Sequence, residues 1–217
     1  MLPFDRTQFL DVFAAYNAAL WPAVIAAYAL AVIALVAGLR KANHAVSLPF
    51  WILSAMWAWT GIAYHLVHFS EINPLARAFG IAFLAQAGLF AVWAVRLSGR
   101  YVLKPTGAGA AVGYFLILYA AFLYPLIGIV LGHELAQVPM FGVTPCPLTI
   151  FTFGVLLLIA PNPPFWLFSI PVLWAFIGGS AAFLLGIPQD WMLPFSAIAA
   201  LVLLRPRTRT FRAGKAV

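Results

Sequence analysis

Long uninterrupted apolar stretches are the feature that most restricts what this chain can fold into. Several approach about 20 residues, the length that an α-helix needs to cross roughly 30 Å of hydrocarbon. Of the 217 residues, 65% are hydrophobic and only 8% are charged, whereas soluble domains carry about 25% charged residues. The sequence therefore predicts an integral membrane protein.

The apolar stretches predict an all-α transmembrane bundle that forms a single domain over residues 1–217. Residues 1–17 are expected to form an amphipathic helix at the membrane interface, with phenylalanines on one side and acids on the other. The fifth span is the shortest and rises about 20 Å, so a re-entrant segment is an alternative there. The seven predicted spans are Trp21–Leu39, Leu48–Phe69, Pro74–Val95, Ala108–Leu131, Leu148–Ala160, Phe165–Ile187 and Met192–Leu204.

The basic residues predict the orientation, because lysine and arginine concentrate in cytoplasmic loops. With seven crossings, ten of the twelve basic residues fall on one side, including the basic tail at 205–217. That tail would move to the outside if the fifth segment did not cross. We therefore expect the N-terminus outside and the C-terminus in the cytoplasm.

This topology sorts the chain's reactive side chains to the outer end. All five acids, three of the four histidines and the only cysteine fall there. A single cysteine also means that no internal disulfide is possible. The outer residues are Asp5, Asp11, Glu71, Glu134, Asp190, His65, His68, His133 and Cys146.

The stretch YHLVHFSEINP, residues 64–74, carries two of these histidines and one acid. Imidazole together with a thiolate suits zinc or copper, so one hypothesis is a metal site built by His65, His68, His133 and Cys146. The possible supporting acids are Glu71, Glu134 and Asp190. The alternative is structural, because histidine is favourable at a helix C-terminus without any ligand.

The stretch GVTPCPLTIFTFG, residues 142–154, places a proline on each side of Cys146. One interpretation is an irregular segment with free carbonyls, because proline lacks an amide proton and restricts the residue before it. The other is a helix that begins at proline and buries a small cysteine. Gln86, Tyr64 and Tyr124 are possible lining residues of a polar path.

Several stretches together resemble an uncharacterised family, a domain of unknown function, of small bacterial polytopic inner-membrane proteins that are sometimes labelled permeases. The resemblance implies a bacterial inner-membrane location and a single multi-pass domain, and it carries no established activity. The stretches are LPFDRTQFLDVFAAYNAALWPA, YHLVHFSEINPLARAFG, GVTPCPLTIFTFGVLLL and IPVLWAFIGGSAAFLLGIPQDWMLP.

The leading functional hypothesis is a transporter or channel-like permease whose outer site binds a small ion or small molecule. One alternative is an intramembrane zinc-dependent hydrolase acting on a lipid-like substrate, and another is a non-catalytic or haem-binding subunit. A non-enzymatic role is favoured over an enzymatic one. The expected partners are the lipid bilayer and the small ion or small-molecule substrate, and a homo-oligomer is left open. Nucleic acid is not expected, because the basic residues form short clusters without a binding motif.

Overall fold

The computed structural model of the chain describes residues 2–39, 47–97, 102–103, 107–160 and 163–204. It is an all-α bundle, as predicted, with one short antiparallel pair of two-residue strands. The helices are α1 (Arg6–Leu39), α2 (Ser47–Trp59), α3 (Ala76–Arg96), α4 (Gly107–Leu118), α5 (Tyr124–Val130), α6 (Pro145–Leu157), α7 (Ser169–Leu185) and α8 (Met192–Leu203), and the strands are β1 (Val102–Leu103) and β2 (Ile159–Ala160).

Five helical segments of the described chain are long and apolar enough to cross a membrane, as the prediction of a membrane protein requires. They correspond to the first four predicted spans and the sixth. The seven-span count and the outward N-terminus stay predictions, since most of the basic residues behind them lie outside the described residues. The five segments are Arg6–Leu39, Ser47–Glu71, Ala76–Arg96, Gly107–Val130 and Phe165–Leu185.

Two of these segments contain π-helical turns. The second continues from α2 through a π-helical stretch, Thr60–His68, and a 3₁₀ turn, Phe69–Glu71. The fourth joins α4 to α5 through a shorter π-helical stretch, Tyr119–Leu123. π-helices are rare and frequently occur at functional sites, so both stretches mark places where the regular winding of the bundle changes.

Helix α1 is broken near its middle. Leu20 has non-helical torsion angles (φ −128°, ψ 21°), two residues before Pro22. Proline cannot donate the helical hydrogen bond and its ring crowds the preceding turn, which explains a kink here. The part before the kink buries Phe9 and Phe13 against the bundle. That it lies at the membrane interface stays a prediction.

Helix α6, the predicted fifth span, is the centre of the bundle. All thirteen of its residues are buried. A helix that is apolar on every side is expected to be enclosed by other helices. Glycines at the contact between α6 and α4 allow these two helices to approach each other closely. A Cβ at Gly154 would lie 2.8 Å from the carbonyl oxygen of Gly113 in α4.

The same helix decides between the two interpretations of the proline-flanked cysteine. Helix α6 begins at Pro145, and Cys146 lies in its first turn. The interpretation as a helix that begins at proline and buries a small cysteine is confirmed, and the interpretation as an irregular segment with free carbonyls is wrong. The carbonyl of Thr144 accepts the amide of Leu148, and that of Pro145 accepts the hydroxyl of Thr149. First-turn amides have no partner within the helix, so prolines are tolerated there.

Candidate functional site: a cavity beside Cys146 and Asp190

A cavity of about 240 Å³ lies where the N-terminal segment meets the end of the second span, the start of α6 and the side of α7. It is larger than the ~150 Å³ cavity that holds benzene in another protein. Its wall is mostly apolar, but the thiol of Cys146 and the carboxyl of Asp190 form part of it. These two side chains are only 4% and 2% exposed, respectively.

Three separate elements bring polar side chains together around Asp190, of which Cys146 and Asp190 line the cavity and Tyr124 does not. Tyr124, the first residue of α5, donates its hydroxyl to the carboxyl of Asp190. Cys146 hydrogen bonds to the same carboxyl and lies against the indole of Trp174. Asp190 itself lies in a 3₁₀ turn, Pro188–Trp191, between α7 and α8.

Burial dominates the electrostatics of Asp190. It raises the pKa of the carboxyl from an ordinary 3.8 to about 7, because the charged form loses its hydration. The hydrogen bonds from Tyr124 and Cys146 act in the opposite direction and lower this pKa. The carboxyl therefore changes its protonation state near neutral pH.

Both π-helical stretches bring tyrosines close to Asp190. The first carries Tyr64, a cavity-lining residue whose ring stacks on that of Phe13 with 5.2 Å between centroids. The second is followed directly by Tyr124. It also carries Tyr119, whose hydroxyl donates to the carbonyl of Gln189 at 2.9 Å. The irregular winding thus positions tyrosines around Asp190.

His65 lies behind the cavity wall rather than in it. The side chain is fully buried and packs against aromatic rings, with centroid distances of 4.6 Å to Phe83 and 5.0 Å to Trp174. Among the described residues, neither ring nitrogen has a hydrogen-bond partner. An apolar cage of this kind favours the neutral imidazole.

The other two histidines that were predicted to lie at the outer end have partners of their own. His68 places Nδ1 2.7 Å from the carbonyl oxygen of Ala63, and its ring meets that of Tyr16 edge-on. His133 places Nε2 3.1 Å from Nη2 of Arg6. Burial lowers the pKa of His133, and the charge of Arg6 lowers it further.

The predicted metal ligands do not meet at one point. Within the described ranges, no group of three or more His, Cys, Asp and Glu side chains could hold a metal ion. Of the predicted set, the structure joins Cys146 to Asp190, while Glu71 and Glu134 are exposed. The geometry does not assemble the four-ligand site, and binding of zinc or copper stays a prediction.

Comparison with known proteins places the chain in a family. The model of a family of unknown function (DUF6064) matches residues 6–215. The chain belongs to this family. The resemblance to an uncharacterised family is thereby confirmed, while the bacterial inner-membrane location stays a prediction. No curated protein and no solved structure matches the chain.

In this DUF6064 protein, sequence reasoning located part of the site and missed part of it. Gln86 does not line the cavity, because its Nε2 donates to the carbonyl of Leu167 at 3.0 Å in the core. Trp174 and the N-terminal Phe4 and Phe9 do line it and were not expected there. The apolar side of the N-terminal helix indicates a buried face, but the sequence alone favours the membrane interface as the surface that this face contacts.

Proposed function

We propose that this protein is a small permease-type membrane protein whose outer cavity binds small amphipathic solutes, with an apolar body and one polar end. The observation that carries the proposal is the buried Cys146–Asp190 pair in an otherwise largely apolar cavity. Small-molecule sites commonly combine an apolar wall with a few placed polar groups. A bundle that served only to span the bilayer would need neither the cavity nor the buried acid.

Several features favour binding and a conformational change over an open channel. A conducting path needs polar groups along its length, and Thr149 and Thr152, two buried polar residues of α6, already donate their hydroxyls to carbonyls of the same helix. Helix α6 is enclosed on every side, and Gln86, the polar residue nearest a span centre, is already bonded to Leu167. Solute would therefore have to leave the cavity through movement of the surrounding helices.

The first test is binding of 2-phenylethanol to the detergent-purified protein, followed by tryptophan fluorescence because Trp174 lines the cavity. Ala181→Leu adds bulk to the lining and should weaken binding by at least about tenfold, since the added atoms occupy the solute's space. Ala199→Leu is the matched control, a half-buried position in α8 that does not line the cavity. If the tryptophan fluorescence did not saturate with 2-phenylethanol in the wild type or in either variant, the proposal would be refuted.

The single cysteine gives an independent readout. Cys146 lines the cavity, so bound 2-phenylethanol should slow its modification by methyl methanethiosulfonate. Mass spectrometry of the intact protein counts the added group, and Cys146→Ser supplies the blank. Equal modification rates with and without saturating solute would place the solute elsewhere and contradict the proposed site.

A further inference from the structure

Building on the proposed function, we infer that the cavity selects small lipophilic amines in their protonated form, with the ammonium group at Asp190 and the organic body among the aromatic rings. The inference names the substrate class of that same site. It rests on three independent features: an acid without a counter-charge, an aromatic wall, and a helix start that is poorly equipped to hold an anion.

Asp190 has no positive partner in the described part of the chain. The cavity wall contains this one carboxyl and no lysine, arginine or histidine. The titratable groups that face it are Tyr124 from α5, Cys146 from α6, and Tyr64 and Tyr119 from the π-helical stretches. Helices α7 and α8 contain no titratable side chain. A buried carboxylate needs pairing, and a bound ammonium would supply it.

The cavity wall suits the rest of such a solute. The rings of Phe13, Tyr64 and Trp174 line it, together with further phenylalanines from the N-terminal segment and from the end of the second span. Aromatic faces attract organic cations, and the attraction grows when the site excludes water. A primary or quaternary ammonium on a phenylalkyl body therefore meets complementary chemistry at both ends.

The side of the cavity that is formed by Asp190 and the start of α6 is poorly suited to anions. The N-terminus of a helix normally binds anions through its free amides, and α6 begins at this cavity. However, Pro145 and Pro147 occupy the first and third positions of α6 and have no amide proton. This leaves the amide of Cys146 between them, beside an acid that would repel an anion.

Binding of an ammonium ion exchanges it for a proton. The neutral carboxyl of Asp190 releases its proton to solvent, and the resulting carboxylate pairs with the incoming ammonium, so the net charge of the site is zero before and after the exchange. Since the pKa of Asp190 is about 7, both protonation states are accessible near neutral pH. One cation would thus compete with one proton for the same carboxyl.

The test compares 2-phenylethylamine with 2-phenylethanol, which share a carbon skeleton, at pH 5.5 and pH 8. The amine should bind about 30-fold more weakly at pH 5.5, because the carboxyl is then mostly protonated, whereas alcohol binding should not change. Benzyltrimethylammonium, which has no proton to lose, should follow the amine. Asp190→Asn should abolish the preference for both cations over 2-phenylethanol and leave the binding of the alcohol unchanged.

The outcomes separate this inference from the proposed function. Equal, pH-independent affinities for amine and alcohol in the wild-type protein would overturn the amine selectivity and leave the cavity as a general solute site. If none of the probes bound to the wild-type protein, the proposed function itself would be overturned. The wild-type pH comparison does not depend on whether Asp190→Asn folds.

The transport step has its own readout, because a quaternary ammonium ion does not cross a bilayer readily unaided. Proteoliposomes with an acidic lumen should accumulate labelled benzyltrimethylammonium as protons leave, and Asp190→Asn should reduce this uptake to the level of protein-free vesicles. Binding without uptake by the wild-type protein would overturn the permease step while retaining the amine site.

Discussion

Replacing Asp190 by asparagine should stabilise the folded protein at neutral and alkaline pH and have little effect at acid pH. In the unfolded chain the carboxyl titrates near its ordinary pKa of 3.8, and burial raises the pKa to about 7 in the folded protein. Between these pH values the unfolded chain has released a proton that the folded chain retains. The free energy of unfolding therefore falls as pH rises through this window.

The size of the effect follows from the pKa shift of about three units. Each unit corresponds to about 1.4 kcal/mol, so ionisation of Asp190 should destabilise the fold by about 4 kcal/mol above pH 7. Asparagine removes the ionisation and keeps an oxygen that can accept the hydroxyl of Tyr124. The variant should thus gain stability on this order at pH 8 and almost none near pH 4.

The assay is urea or thermal unfolding in a non-ionic detergent, followed by tryptophan fluorescence between pH 4 and pH 8. Glu134→Gln is the matched control, since it removes an exposed acid at the same end of the described bundle. Its profile should run parallel to that of the wild type. If Asp190→Asn also ran parallel, or if the wild-type profile were flat from pH 4 to 7, the burial argument for this carboxyl would be refuted.

Three further substitutions, two of them paired with a control substitution, test packing and electrostatics. Gly154→Ala should lower the free energy of unfolding by about 1–3 kcal/mol, because its Cβ would lie 2.8 Å from a carbonyl oxygen of α4. Gly88→Ala is the control and should be neutral or slightly stabilising, since the space around Gly88 is open. Thr152→Val should cost about 1–3 kcal/mol by removing the acceptor 2.9 Å from the buried indole N–H of Trp57, and Thr152→Ser should not. Arg6→Met should raise the pKa of His133, because it removes the positive charge that lowers this pKa. NMR titration in micelles measures the change, and an unchanged pKa would contradict the pairing of the two side chains.

The fold class was predictable because span length and the scarcity of charge leave few alternatives for such a chain. The environment of α6 was harder to predict. Periodicity carries no information in a helix that is apolar on all sides, so the sequence could not distinguish a central helix from a lipid-facing one. The start of the same helix was ambiguous for a related reason, because two prolines are compatible with a first helical turn and equally with no helix.

The histidine site failed to assemble for a reason that lies in the backbone. In an α-helix, His65 and His68 would lie on one face, because they are three residues apart. In the structure both lie in the π-helical stretch Thr60–His68, where the wider turn rotates each residue by a smaller angle. His65 consequently enters an aromatic cage while His68 meets Tyr16.

The features that the bundle does not need are the strongest argument for a site. Apolar helices would pack without π-helical winding, without a buried acid and without a cavity, and each of these lowers stability relative to regular, filled packing. They nevertheless coincide: Tyr64 lies in one π-helical stretch, Tyr124 directly follows the other, and both approach Asp190, which lines the cavity. A helix that merely ends at water would explain exposed polar residues such as Glu71, but it would not explain a carboxyl that is buried, hydrogen bonded and open to a solute-sized space.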